Sequence, residues 1–121
     1  MARILLIEDS PTDRAVFTQW LQRGGHQVIL ATNAEDGIAI ARKELPDLVL
    51  MDVVLPGMSG FQATRALSRD QATSKIPVLI VSTKSMETDR AWGMRQGAVD
   101  YVVKPPREED LVARINQLVG G

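Results

Sequence analysis

Arg3-Ile4-Leu5-Leu6-Ile7-Glu8-Asp9-Ser10-Pro11, residues 3 to 11, decides the fold. An unbroken apolar run stops at a pair of acids, and Ser10 followed by Pro11 and Asp13 then opens a helix. A strand covered on both faces reads as a nearly continuous apolar run, because neither side alternates with polar residues. Outward from this unit the same alternation recurs, with five strand-helix pairs in all. Gln27 to Ala31, Leu48 to Met51, Val78 to Val81 and Val99 to Val103 read as the other strands. Asn33 with Glu35 and Asp36 marks a second helix start, and Ser59 with Gln62 forms a capping box at a third. Val16, Phe17, Trp20 and Leu21 make one apolar stripe, Ala34, Ile38, Ala41 and Leu45 another, and Leu111, Ile115 and Leu118 a third. Gly24-Gly25 and Gly97 stop helices, while Leu45-Pro46 and Ile76-Pro77 lead into the third and fourth strands.

Strands alternating with helices specify an α/β domain, a (βα)5 doubly wound parallel sheet, for which the flavodoxin-like strand order 2-1-3-4-5 is the common solution. The 121 residues suit one domain over 1–121, with no room for a second core and so no output domain. No apolar run approaches the roughly 20 residues that span a bilayer. Arg3 alone precedes the first run and acids follow at once, so the start is not a secretory signal and the expected address is cytoplasmic. The absence of cysteine excludes disulfides and thiolate metal sites. Fourteen basic and fifteen acidic residues give a net charge of −1, without the one-signed excess of a nucleic-acid binder.

In open α/β sheets the reactive crevice lies beyond the carboxyl ends of the strands. Strand one ends in Glu8-Asp9, strand three in Asp52, strand four in Ser82-Thr83 and strand five in Lys104-Pro105. Gathered carboxylates repel and raise one another's pKa, so Glu8, Asp9 and Asp52 need compensating charge. Magnesium suits such hard oxygens, keeps several waters and is held by a few carboxylates plus phosphate oxygens. With Lys104 it would balance the three acids and leave a neutral site able to host a phosphoryl group.

With these positions in order, the chain resembles the response-regulator receiver domains, the CheY-like half of two-component signalling. The resemblance runs from Glu8-Asp9 to the end of the fifth helix. It implies that Glu8, Asp9, Asp52 and the carbonyl of Val54 hold Mg2+, that Asp52 is the phosphoacceptor, that Ser82 contacts the phosphoryl group, and that Lys104 pairs with it ahead of a cis bond to Pro105. It further implies a switch of Ser82, Thr83 and Tyr101, in which Tyr101 swings inward. Trp92, Met94, Tyr101 and Pro106 would then mark an output surface on helix four, strand five and helix five. The implied partners are a CheA-like histidine kinase or phosphotransfer domain and a downstream protein target. Asp9-Ser10-Pro11-Thr12, Gly60 to Arg65 and Trp92 to Gly97 resemble, more narrowly, the single-domain regulators of type IV pilus chemosensory systems, which govern twitching motility.

Some positions depart from the pattern or admit a plainer reading. Pro106 stands where many receivers carry a large apolar residue. Thr83 is bulkier than the usual alanine and is expected to crowd Tyr101, while Val54 and Lys84 flank the path of an attacking water. His26, the sole histidine, reads as a structural residue in a surface turn, so a phosphohistidine donor must be another protein. For Trp92 and Met94 a core role and a partner-facing role both fit. Gly57 and Gly60 read as loop geometry, and no P-loop lysine follows them. A phosphate sink for a shared kinase uses the same residues as the switch. An Asp-nucleophile hydrolase would want an acid at position 54, where valine stands, and the intact acids and Lys104 disfavour a receiver that never takes phosphate.

Overall fold

The computed structural model describes residues 1–120. Its elements follow the expected alternation: β1 (Arg3–Ile7), α1 (Pro11–Arg23), β2 (Gln27–Ala31), α2 (Ala34–Glu44), β3 (Leu48–Met51), α3 (Gly60–Arg69), β4 (Val78–Ser82), α4 (Glu87–Gln96), β5 (Asp100–Val103) and α5 (Glu108–Val119). The strands are parallel in the order β2-β1-β3-β4-β5. The 2-1-3-4-5 expectation holds.

Period-two alternation divides each strand between two cores. Ile4, Leu6, Leu48, Leu50, Leu79 and Val81 pack with Phe17 and Leu21 of α1 and Leu111 and Ile115 of α5. Leu5, Ile7, Val49, Met51 and Ile80 pack on the opposite side with Ala34 and Ala41 of α2 and Ala63 and Leu67 of α3. Both faces being dry explains the unbroken apolar runs.

The expected helix starts all form. Ser10 Oγ accepts from Asp13 N at 3.3 Å and Asn33 Oδ1 from Asp36 N at 2.8 Å. Ser59 and Gln62 exchange both bonds of a capping box. Three local expectations need correction. Leu45 leaves its stripe: it ends α2 with φ 47° and is exposed, because Pro46 disfavours a helical residue before it. The fifth strand begins at Asp100, and Val99 is exposed. His26 is buried rather than in a surface turn. Its Nδ1 accepts from Ala2 N and its Nε2 donates to Asn116 Oδ1, each at 3.1 Å, which ties the start of the chain to α5. Its expected structural role stands. Among the described residues no helix is long and apolar enough to cross a membrane.

Candidate functional site

Ile7 of β1 and Met51 of β3 are register partners, so the residues that follow, Glu8 and Asp52, leave the sheet side by side. Asp52 N donates to Ile7 O and Glu8 N to Ala31 O, both at 3.0 Å, which fixes their backbones at the sheet's carboxyl edge. Lys104 leaves β5 with its N–H on Ser82 O at 2.9 Å. Its side chain reaches back to bring three carboxylates onto one ammonium: Nζ donates to Glu8 Oε1 at 2.7 Å, Asp13 Oδ2 at 2.7 Å and Asp52 Oδ2 at 3.3 Å. It also lies 5.8 Å from the centre of the Phe17 ring, within cation–π range.

The side chains of Lys104 and Asp52 are each only 8% exposed and that of Glu8 only 1%. Charges so far from water persist because they are paired. Burial raises the Glu8 carboxyl to about 7, against the hydrogen bond from Lys104 and with the help of the Asp52 charge. Burial would lower the Lys104 ammonium, but the bonds to Asp13 and Glu8 and the Asp52 charge outweigh it and hold its pKa above the ordinary lysine value. The other Glu8 oxygen accepts from Ser10 N at 3.1 Å. Asp52 Oδ1 accepts from Val53 N at 2.7 Å.

The structure thus joins Glu8, Asp52 and Lys104 as the sequence leads one to expect, but it places Asp9 differently. Asp9 is exposed, and Arg14 Nη1 clasps the carbonyls of Glu8 at 3.1 Å and Asp9 at 2.9 Å. Among the described residues no three His, Cys, Asp or Glu side chains gather as a ready-made metal cage. The expected convergence of Glu8, Asp9 and Asp52 is therefore incomplete, because Lys104 draws Glu8 and Asp52 inward while Asp9 faces solvent. The donor chemistry still suits magnesium: the rim offers hard carboxylate oxygens, and their negative charge exceeds what one lysine neutralises. Val54, whose carbonyl was expected to help, lies on the exposed loop beyond Asp52.

Sequence reasoning missed Asp13, which it used only as a helix-start signal. Its backbone does perform that task, while its side chain bonds a lysine 91 residues away. Gly60 gains a clear role: a Cβ there would stand 1.9 Å from Asp52 O, so glycine lets α3 begin against the backbone of the acid. That supports loop geometry over phosphate cradling.

The switch positions flank the rim. Ser82 is fully buried, and its Oγ accepts from Lys84 N at 3.2 Å. Tyr101, expected on the output surface, is instead buried at 2% exposure and already points inward, its hydroxyl donating to Lys84 O at 2.7 Å. One residue of the β4–α4 loop thus engages both. Thr83 does not crowd Tyr101. It is exposed and lines a crevice of about 440 Å³ with Asp13, Phe17, Trp20, Lys104 and Pro106 on the α1 side of the sheet. Trp92 and Met94 are 46% and 38% exposed on α4, so neither belongs to the core. The Lys104-Pro105 bond is cis, and Pro106 is half-buried.

Comparison with known proteins agrees with this geometry. Residues 4–116 match the family described as "Response regulator receiver domain". Protein PilH of Pseudomonas aeruginosa is 56% identical over 121 residues, covering all of both chains. The phosphate regulon transcriptional regulatory protein PhoB of Escherichia coli is 36% identical over 117 residues, which are 97% of this chain but 51% of that protein. Among solved structures, the receiver domain of a Pseudomonas aeruginosa sensor histidine kinase, with magnesium coordinated in its active site cleft, superposes with a TM-score of 0.92 at 27% identity, covering 99% of this chain and 98% of that one. A CheY-type chemotaxis protein of Vibrio cholerae gives 0.91 at 28% identity, covering 98% of each chain. With its strand order, its acid-and-lysine rim and a family match over nearly its whole length, this chain belongs to the response regulator receiver domains of two-component signalling.

Proposed function

We propose that the chain is a phosphorylation switch in which Asp52 accepts a phosphoryl group from a phosphohistidine of a partner histidine kinase or phosphotransfer domain. The observation that carries this reading is the state of Asp52: a buried carboxylate at the end of β3, with Val53 N on one oxygen and the Lys104 ammonium 3.3 Å from the other. An Asp52 oxygen attacks phosphorus, the phosphorus–oxygen bond forms as the phosphorus–nitrogen bond breaks, and the released imidazole takes up a proton. Glu8, Asp9, Asp52 and the Val54 carbonyl would hold magnesium, whose chemistry is to neutralise phosphoryl oxygens. Lys104 stabilises the same negative charge, so catalysis is mostly positioning and electrostatics.

Once phosphorylated, Asp52 carries a group near −2 in place of a single charge, and Ser82 is the hydroxyl placed to bond its oxygens. Because Lys84 engages both Ser82 and Tyr101, movement of the first is transmitted to the loop that holds the second. The receiving surface is α4, β5 and α5, with Trp92, Met94 and Pro106 as its contact residues. Likeness to PilH over the full length of both chains favours a cytoplasmic role in a pilus-linked chemosensory relay controlling twitching motility, through protein contact.

Intact-mass measurement after incubation with acetyl phosphate and magnesium tests the reading. Wild-type protein gains one phosphoryl group; Asp52→Asn and chelated samples gain none. Failure of wild-type protein to gain mass from acetyl phosphate or from a cognate kinase would overturn it.

A further inference from the structure

The first turn of α1 carries a charge that the proposed chemistry does not use. Asp13 Oδ2 stands 2.7 Å from Lys104 Nζ, closer than Asp52 Oδ2 at 3.3 Å. An ammonium has three donors, and Glu8, Asp13 and Asp52 engage all of them. A phosphoryl oxygen arriving beside Asp52 therefore has to take a donor already in use. Glu8 is poorly placed to yield: its side chain is 1% exposed, and losing its partner would strand a buried carboxylate. Asp13 is 36% exposed and can turn to water at small cost. Its backbone stays anchored meanwhile, since its N–H is held by Ser10 Oγ.

Charge points the same way. Glu8, Asp9 and Asp52, the proposed holders of a divalent ion, would be neutral together with that ion and Lys104; Asp13 as a fourth acid leaves one net negative charge before any phosphoryl group enters. That charge repels the incoming anion at short range, where salt screens it least.

We propose that Asp13 competes with the phosphoryl group for Lys104, acting as a positioning residue that restrains phosphorylation until the anion displaces it. This rests on the phosphoryl-acceptor reading of Asp52. The inference makes α1 the seat of a restraint on occupancy, separate from the switch at Ser82 and Tyr101.

Titration with beryllofluoride and magnesium, beryllofluoride being a mimic of a carboxylate-bound phosphoryl group, reads the competition directly. Asp13→Asn, which keeps the size and removes the charge, should tighten binding about three- to tenfold and speed mass gain from acetyl phosphate by a similar factor. Asp13→Glu should restore wild-type behaviour. In a Lys104→Met background the Asp13→Asn effect should vanish, because the competition acts through the lysine. In metal-free protein without any phosphoryl mimic, NMR of the Lys104 ammonium should show faster proton exchange with water in Asp13→Asn than in wild type, an outcome independent of phosphorylation. Equal or weaker beryllofluoride binding by Asp13→Asn, persistence of its effect without Lys104, or unchanged ammonium exchange would each overturn the inference while leaving Asp52 as the acceptor. If wild-type protein bound no beryllofluoride and gained no phosphoryl mass, the acceptor reading would fall and this inference with it.

Discussion

Helices α5 and α4 lie in sequence on either side of β5, yet they are anchored in opposite ways. α5 inserts Leu111 and Ile115, both fully buried, into the core shared with Phe17 and Leu21 of α1. α4 buries only Gly93 and Gln96, and holds Trp92 and Met94 out to solvent. Met86, the residue that precedes it, offers no capping side chain, and Asp89 Oδ2 accepts from the Met86 N–H at 3.2 Å. Much of its attachment is polar, as where Arg90 Nη1 donates to Tyr101 O at 3.0 Å. The difference teaches a division of labour. Rigid elements hold the acid-and-lysine rim, where a small misplacement would spoil the chemistry, whereas a helix with few apolar anchors is the one that a modest local change can shift.

The comparison breaks most visibly at α5. Leu111→Ala removes a fully buried side chain from between α5 and the sheet and should cost about 2–5 kcal/mol, read as a lower urea midpoint. A cost under 1 kcal/mol would mean that α5 is no better anchored than α4.

On α4 the corresponding change runs the other way, by adding atoms. A Cβ at Gly93 would stand 2.9 Å from Ile80 Cδ1, 3.1 Å from Tyr101 Cδ2 and 3.3 Å from Phe61 Cε1. Alanine gains about 1 kcal/mol of helix propensity over glycine, but overpacking costs about 1–3 kcal/mol. The neighbours belong to β4, β5 and α3, and they close in from three sides, so the crowding should win. Gly93→Ala is therefore expected to lose about 1 kcal/mol in the same unfolding measurement, with the α4 amides exchanging faster with deuterium. Stabilisation instead would show that α4 gives way without resistance.

Much of this was legible in the sequence because two-sided burial leaves so little freedom. Leu48 to Met51 can hardly be anything but a central strand, and a central parallel strand puts the next residue, Asp52, on the edge where Glu8 and Lys104 also emerge. What stayed hidden depended on side-chain direction. Asp13 performs a local task at a helix start that any short acid could perform, and nothing in its spacing says that its carboxylate also meets Lys104. Tyr101 sits in a strand whose alternation permits either direction, and the deciding feature, the Lys84 carbonyl, belongs to a loop without periodicity. His26 follows two glycines, which reads as a turn, yet its ring fills the gap between Ala2 and Asn116. Asp9 shows the converse: charge arithmetic groups it with Glu8, yet adjacent residues leave a strand in different directions, and its side chain is exposed where that of Glu8 is buried.

The smallest expected effect is the sharpest probe of the two-helix contrast, because the chain's two tryptophans fall one on α1 and one on α4. Trp20 is half-buried and packs on Phe17 with ring centres 5.6 Å apart, whereas Trp92 is 46% exposed. Trp92→Ala should leave stability within about 0.5 kcal/mol of wild type, as for a surface residue free of special interactions. Its indole should nonetheless report on the switch. In a Trp20→Phe background, leaving Trp92 as the sole emitter, beryllofluoride with magnesium should alter the emission, and adding Asp52→Asn should abolish that response. Emission that stays constant while the mimic is bound would mean that α4 does not move when the rim is occupied. Weak anchoring of α4 would then be a property of its packing alone, and the search for a moving element would pass to the β4–α4 loop, where Lys84 engages both Ser82 and Tyr101.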